Sequence, residues 1–259
     1  MKKNKLRELL KAGQPTLGTH IHSTWPSIVE VVGHTGVFDY VEFVAEYAPF
    51  DLYALDNICR AVELFDMSAM IKVDQEPRSF IAQRAIGSGF HSVLFADCRN
   101  VEDARECVRI VRPETPEAGG TYGVATRRMS YMSYGGTPDY VQFLNNIVAV
   151  LMIEKKSTVD HLEEILSLDG IDMIQWGPSD YSLSVGRDRK DPEIKAVERT
   201  VIETSLKMGV PPRAEVNSAD QAKYYLDLGV RHFCIGTDIT ILHDWLKRSG
   251  DDLRKLIGK

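Results

Sequence analysis

The chain has only four cysteines, Cys59, Cys98, Cys107 and Cys234, and they are scattered. They make no Cys-x-x-Cys motif and have no histidine at ligand spacing. That argues against a disulfide framework or a zinc ribbon and fits reduced thiols in a cytoplasmic protein. Long apolar runs are missing as well. None approaches the roughly 20 residues that cross a bilayer, so no membrane partner is expected. Met1-Lys2-Lys3-Asn4-Lys5-Leu6-Arg7 has the basic residues of a secretory leader without the apolar stretch that would follow them. Positive charge is not in excess either. With 31 Lys and Arg against 37 Asp and Glu, the net charge of −6 argues against nucleic acid as the main partner. No GxGxxG or GxxxxGK[ST] opens a strand–helix unit. No internal repeat, low-complexity tract or linker divides the chain, so residues 1–259 are read as one domain.

What is present is alternation. Strand candidates recur at Thr16–His22, Tyr40–Ala45, Ala69–Val73, Ser92–Ala96, Val148–Glu154, Asp172–Trp176, Val210–Glu215 and His232–Thr237. An opening helix covers Lys3 to Ala12. Helical stretches then fall at Pro26–His34, Leu52–Phe65, Ser79–Ile86, Val101–Val111, Pro138–Asn145, Val159–Leu168, Pro192–Lys207 and Ala219–Leu228, and Thr240 to Ile257 closes the chain. Gly33, Gly87, Gly209 and Gly229 read as helix stops, and Asp51, Asn100 and Ser218 as N-caps. A length of 259 residues is near the roughly 250 of one (β/α)₈ barrel, so a closed parallel barrel is favoured over a doubly wound open sheet. The irregular stretch Pro113 to Thr137 is long enough to be a lid or interface arm above the end of the fourth strand. The tyrosines of Ser130-Tyr131-Met132-Ser133-Tyr134 read as packing or interface material.

Two carboxylates dominate the functional reading. Glu154 closes the apolar run Ile147–Ile153, and Asp180 follows Gly170–Trp176 through the tight link Gly177-Pro178-Ser179. Both fall at C-terminal strand ends, where parallel sheets collect ligands. Two acids with few counter-charges nearby in sequence suit a hard divalent cation; the alternative is that they cap helices or pair with lysines. Side chains alternate along a strand, so Glu154 facing the mouth would turn Lys155 to the helical shell. Lys72, at the end of the third strand, reaches the mouth or merely covers it with its stem. His20 and His22 share one strand face, and histidine is the residue type suited to general acid–base work near neutrality; the alternative is that they fill the core. Glu42 and Glu46 need partners inside a strand, with Lys72, a histidine or metal-bound water as candidates. Arg213 and Glu215 are expected to pair with each other.

Together these residues resemble the class II, metal-dependent HpcH/HpaI aldolases. The likeness runs over almost the whole chain. It rests on Phe38-Asp39-Tyr40, Glu46-Tyr47-Ala48-Pro49, Asn100-Val101-Glu102-Asp103-Ala104-Arg105, Ile153-Glu154 with Gly177-Pro178-Ser179-Asp180, and Asp227-Leu228-Gly229 leading to Ile235-Gly236-Thr237-Asp238. The resemblance implies a (β/α)₈ TIM barrel whose last helix is exchanged between subunits of a homo-oligomer, a trimer of dimers. It implies Glu154 and Asp180 as ligands of Mg²⁺ or Mn²⁺, with Co²⁺ a further candidate. It also implies a 2-oxo acid such as pyruvate held by Lys72 and by the turn Gly177, Pro178 and Ser179, and cleavage of 4-hydroxy-2-oxo acids through a metal-stabilised pyruvate enolate.

The chain departs from the pattern where acid–base chemistry sits. The family's Glu-His-Ala-Pro is Glu46-Tyr47-Ala48-Pro49, its third-strand arginine is Lys72, and the glutamine two residues before the first ligand is Met152. Tyrosine is a poor base near neutrality, so the expected relay has His22 carrying the proton and Tyr47 orienting it, with Lys72 acting by charge and not as a Schiff base. Two other readings stay open. One is a decarboxylase of oxaloacetate-type acids, or a related enolate carbon–carbon bond-forming enzyme. The other is a non-catalytic relative that binds 2-oxo acids.

Overall fold

The computed structural model describes residues 2–124 and 133–258. Eight parallel strands close a barrel in chain order. They are β1 (Thr16–Ile21), β2 (Tyr40–Val44), β3 (Ser68–Val73), β4 (Ser92–Phe95), β5 (Val148–Ile153), β6 (Met173–Trp176), β7 (Pro212–Val216) and β8 (His232–Thr237). Among the described residues twelve helices surround them. These are α1 (Lys5–Lys11), α2 (Pro26–His34), α3 (Leu52–Val62), α4 (Arg78–Ser88), α5 (Val101–Val111), α6 (Pro138–Asn145), α7 (Lys156–Asp160), α8 (Leu162–Leu166), α9 (Pro178–Val185), α10 (Pro192–Lys207), α11 (Ala219–Asp227) and α12 (Asp238–Leu256). All eight expected strands are present, with no end shifted by more than two residues.

The period-2 pattern of the strands builds two separate apolar regions. Outward residues such as Phe43, Ile71, Val93, Leu151 and Ile174 pack under the helices. Inward residues Tyr40, Met70, Leu94, Val148, Val150 and Met173 fill the lower barrel, and Leu6 of α1 plugs it from below. Asn4 fixes that plug by donating to the carbonyls of His91 and Asn146 at 2.8 Å each, and Arg7 pairs with Asp172. The interior is tight on the β1 side: a Cβ on Gly18 would lie 2.3 Å from the Tyr40 ring, so only glycine fits there.

Several expectations are corrected. The single helix over Val159–Leu168 is two short ones, α7 and α8, broken at His161 (φ −116°, ψ 23°). Of the expected link Gly177-Pro178-Ser179 only Gly177 precedes the helix; Pro178 and Ser179 begin α9, with proline at the first helical position, where its missing N–H costs nothing. Asp51 and Asn100 cap their helices through Ala54 and Asp103 amides, but the Ser218 side chain caps nothing. Gly33 and Gly87 lie inside helices, whereas Gly209 and Gly229 stand at positive φ just past theirs. The stretch Pro113–Thr137 follows α5 and is no lid over β4 in its described part: Tyr122 donates to the Gln83 carbonyl of α4 at 2.8 Å. Its residues 125–132, including Ser130, Tyr131 and Met132, lie outside the described residues. No helix among the described residues is long and apolar enough to cross a membrane.

Candidate active site

Above the apolar floor the inward positions turn polar, and the strand ends open on a cleft of about 350 Å³. His20, His22, Tyr47, Lys72, Glu154, Gly177, Pro178, Ser179 and Asp180 all line it. The residues named from sequence as metal ligands, acid–base groups and substrate holders are thus brought to one cavity, on the face where (β/α)₈ enzymes carry their catalytic groups.

Glu154 stands one residue past β5, almost fully buried, and its Oε1 accepts the Asp97 amide at 2.8 Å. Burial pushes its carboxyl up to about 7; the Asp97 amide and the Lys72 charge pull it back, while Asp180 and Asp97 push it further up. Asp180 sits in the first turn of α9. Gly177 lets the two elements close up, because a Cβ there would lie 2.5 Å from Glu154 Oε2 and 2.6 Å from Glu154 Cβ. A buried carboxylate short of positive partners, with a second acid beside it, is a donor set that fits a divalent cation through oxygen ligands.

Lys72 is buried and charged. Its Nζ lies 2.6 Å from Glu46 and donates to the Tyr47 hydroxyl at 3.0 Å. Burial opposes the charge, but Glu46 and Tyr47 outweigh it and hold the ammonium well above its ordinary value. Tyr47 is held above its ordinary value by burial, against the pull of Lys72, so it is a neutral phenol at physiological pH. His22 faces Tyr47 by stacking, with ring centroids 6.3 Å apart, and the Tyr47 oxygen bonds to Lys72. The His22 and Ser23 amides both donate to the Asp238 carboxylate at 2.9 Å, which fixes the end of β1.

His20 lies deeper, with Nε2 3.2 Å from Glu215 and 3.5 Å from Glu42. Below it Arg213, wholly buried, pairs with Glu42 and donates to Gln175 Oε1 at 2.5 Å. His20, Glu42 and Cys234 offer three donor atoms within 4.8 Å of one another, the one such group among the described residues. Arg213 already neutralises that corner, so a cation there would meet a fixed positive charge.

Sequence reasoning missed Asp97, put Lys155 on the wrong side and gave Arg213 one of its two acidic partners. Lys155 does not face the helical shell; its ammonium bonds Asp97 and lies 3.2 Å from Asp180 Oδ1. The alternation rule fails because β5 ends at Ile153, so Lys155 is past the pleat. Asp97 adopts φ 54°, an unusual value for a non-glycine residue that no pattern in the sequence announces. Arg213 was expected to pair with Glu215, which it approaches at 3.7 Å, but its close partner is Glu42 across the barrel.

The family model for HpcH/HpaI aldolase/citrate lyase matches residues 17–243. A 5-keto-4-deoxy-D-glucarate aldolase of Klebsiella pneumoniae is 28% identical over 256 residues, covering 97% of each chain. A 4-hydroxy-2-oxo-heptane-1,7-dioate aldolase of the same species is 27% identical, over 92% of this chain and 89% of that one. The crystal structure of an HpcH/HpaI aldolase/citrate lyase family protein from Burkholderia cenocepacia superimposes with a TM-score of 0.87 at 23% identity, over 97% of this chain and 100% of that one. The barrel, the cleft and the match along nearly the whole length agree: this chain belongs to the HpcH/HpaI aldolase/citrate lyase family, as a divergent member.

Proposed function

We propose that the protein is a divalent-metal-dependent carbon–carbon lyase, a class II aldolase acting on a 4-hydroxy-2-oxo acid and releasing pyruvate. The observation that carries this reading is the facing of two carboxylates, Glu154 and Asp180, with a buried cationic lysine, Lys72, in one cleft. Glu154 and Asp180 would hold Mg²⁺, Mn²⁺ or Co²⁺, which supplies Lewis acidity at the 2-oxo group. Lys72 places positive charge where the enolate oxygen develops, the usual source of such stabilisation. Its strong charge also argues against a Schiff base, which requires a neutral amine. The amides of Ser179 and Asp180 open α9 without carbonyl partners in their own helix and suit the substrate carboxylate. His22 takes the 4-hydroxyl proton, and Tyr47, pinned by Lys72, orients it or the hydroxyl.

A second reading, decarboxylation of an oxaloacetate-type acid, is favoured by one observation. Tyr47 stands where the family has histidine and is engaged by Lys72, and decarboxylation needs no base for a 4-hydroxyl. Assembly as a homo-oligomer through an exchanged last helix is part of the same proposal. It is supported by α12, which buries none of its residues and exposes Ile239, Ile241, Leu242, Trp245 and Leu246. The test is pyruvate release from 4-hydroxy-2-oxo acids with and without EDTA, and in Glu154→Ala. Activity that survives either treatment sinks the metal-dependent reading, and carbon dioxide release from oxaloacetate without aldol cleavage selects the second.

A further inference from the structure

Lys155 and Asp97 form an arrangement around the two acids that the cleavage chemistry does not use. Asp97 acts at both ends of it. Its amide donates to Glu154 Oε1 at 2.8 Å, and its carboxylate bonds the Lys155 ammonium. The same ammonium reaches Asp180 Oδ1 at 3.2 Å. A single lysine therefore ties the loop after β4 to the first turn of α9, on either side of Glu154. Lys155 is held here by position: it is the residue before α7, with extended backbone at φ −124° and ψ 146° that sends it sideways from the strand end. Its side chain is 19% exposed, so the charge is only partly screened.

Two carboxylates, from Asp97 and Asp180, thus meet one ammonium beside Glu154, and that ammonium is already in contact with an acid proposed as a cation ligand. We infer that Lys155 is a positioning residue that competes with the cation: it occupies Asp180 when the cation is absent and sets the affinity of the site for the cation. Binding then requires Lys155 to withdraw toward Asp97, or to share Asp180 through its second oxygen. Either way the bound cation keeps a positive charge nearby, which weakens its hold, since the net charge of the ligand set tunes cation affinity. The inference rests on the reading that Glu154 and Asp180 hold the cation.

The test is Mn²⁺ titration of the whole protein, followed by calorimetry and by the electron paramagnetic resonance signal of free Mn²⁺, at fixed ionic strength. Wild type is compared with Lys155→Met, Lys155→Arg and Glu154→Ala. Competition predicts that Lys155→Met binds Mn²⁺ on the order of tenfold tighter, while Lys155→Arg, which keeps the charge, stays near wild type. A lysine that only braced the two loops would give the opposite sign, with Lys155→Met binding more weakly. Weaker or unchanged binding by Lys155→Met overturns the inference, as does tighter binding by Lys155→Arg equal to that of Lys155→Met. If Lys155→Met is unstable, Asp97→Asn decides: freeing Lys155 to bind Asp180 alone must weaken Mn²⁺ binding, and tighter or equal binding refutes competition. The underlying reading fails separately. Should wild type and all variants bind no better than Glu154→Ala, both ideas fall. Binding seen only in Lys155→Met would uphold competition and remove the cation from the native enzyme.

Discussion

The floor and the mouth of the barrel interior are built by the same strands and differ by two or four residues along each. On β2, Tyr40 lies in the floor and Glu42 above it; on β3, Met70 and then Lys72; on β5, Val150 and Met152 and then Glu154 just past the strand. The floor is closed by Leu6 and packed without charge, so each buried side chain there adds roughly 1.5–3 kcal/mol through removal from water. Each buried charge in the mouth costs free energy unless a partner is supplied. The partners are supplied across strands: Glu42 by Arg213 and His20, Glu46 by Lys72, Asp180 and Asp97 by Lys155. Alternation along one strand thus places stability and chemistry in successive layers, and each can be attacked without the other.

The sharpest contrast is a crossed pair of substitutions. His22→Ala removes the proposed base and should lower turnover of the 4-hydroxy-2-oxo acid by roughly 10²–10⁴-fold, with little change in the unfolding midpoint. Tyr47→Phe keeps the ring and loses the hydroxyl that bonds Lys72 and orients the relay, and should cost about tenfold or less. Met70→Ala in the floor should do the reverse, lowering stability by about 2–5 kcal/mol while the folded fraction keeps its turnover. Near-full turnover in His22→Ala would end the proposed relay. A turnover defect in folded Met70→Ala would show that the layers are not separable.

Arg213 lies on the boundary, and its removal should be the costliest single change to stability. Both it and Glu42 are fully buried, so Arg213→Met strands a carboxylate and should cost about 3–5 kcal/mol. Taking both charges away, in Glu42→Leu with Arg213→Met, should cost less than either single change, because no ion is left unpaired. Urea unfolding of the three variants measures this. A double variant worse than Arg213→Met would mean that Gln175 and Tyr40, which also bond Arg213, carry the network instead of the ion pair.

How much of this could be read from sequence follows the same division. The strands, the order of the barrel and the meeting of Glu154, Asp180, Lys72, His22 and Tyr47 in one cleft follow from period-2 alternation and chain order, which are local. What sequence reasoning missed depends on geometry between strands. That Arg213 meets Glu42 requires the barrel to close, since their strands are far apart in the chain. Alternation puts Lys155 on the wrong side because the pleat rule does not hold two residues beyond a strand end, where a long flexible lysine is free to turn back. Helix α9 was read as a link because Gly177-Pro178 looks like a turn, although proline at the first helical position is also a helix start.

The smallest effect concerns pH and the lower edge of the mouth. Burial opposes a charge on His20, yet Cys234 on β8, Glu42 on β2 and Glu215 on β7 outweigh it and raise the imidazole well above its ordinary 6.5. A folded-state value above the unfolded one means that the charge on His20 favours the folded state. That contribution is fully present below about pH 6.5 and is lost as pH rises through the elevated folded value. Glu42 runs the other way: held low by Arg213 and His20 against burial, it contributes above its ordinary value of 4.5 and loses that contribution as pH falls through the depressed one. The stability gap between wild type and His20→Gln should therefore be widest near about pH 5.5. It should narrow above about pH 6.5, by at most about 1.4 kcal/mol per pH unit. Urea midpoints at several pH values read that slope directly. A gap that stays constant from acid to alkaline pH would mean that folding does not change the proton affinity of His20, and that the carboxylates of the mouth are held by Arg213 without it.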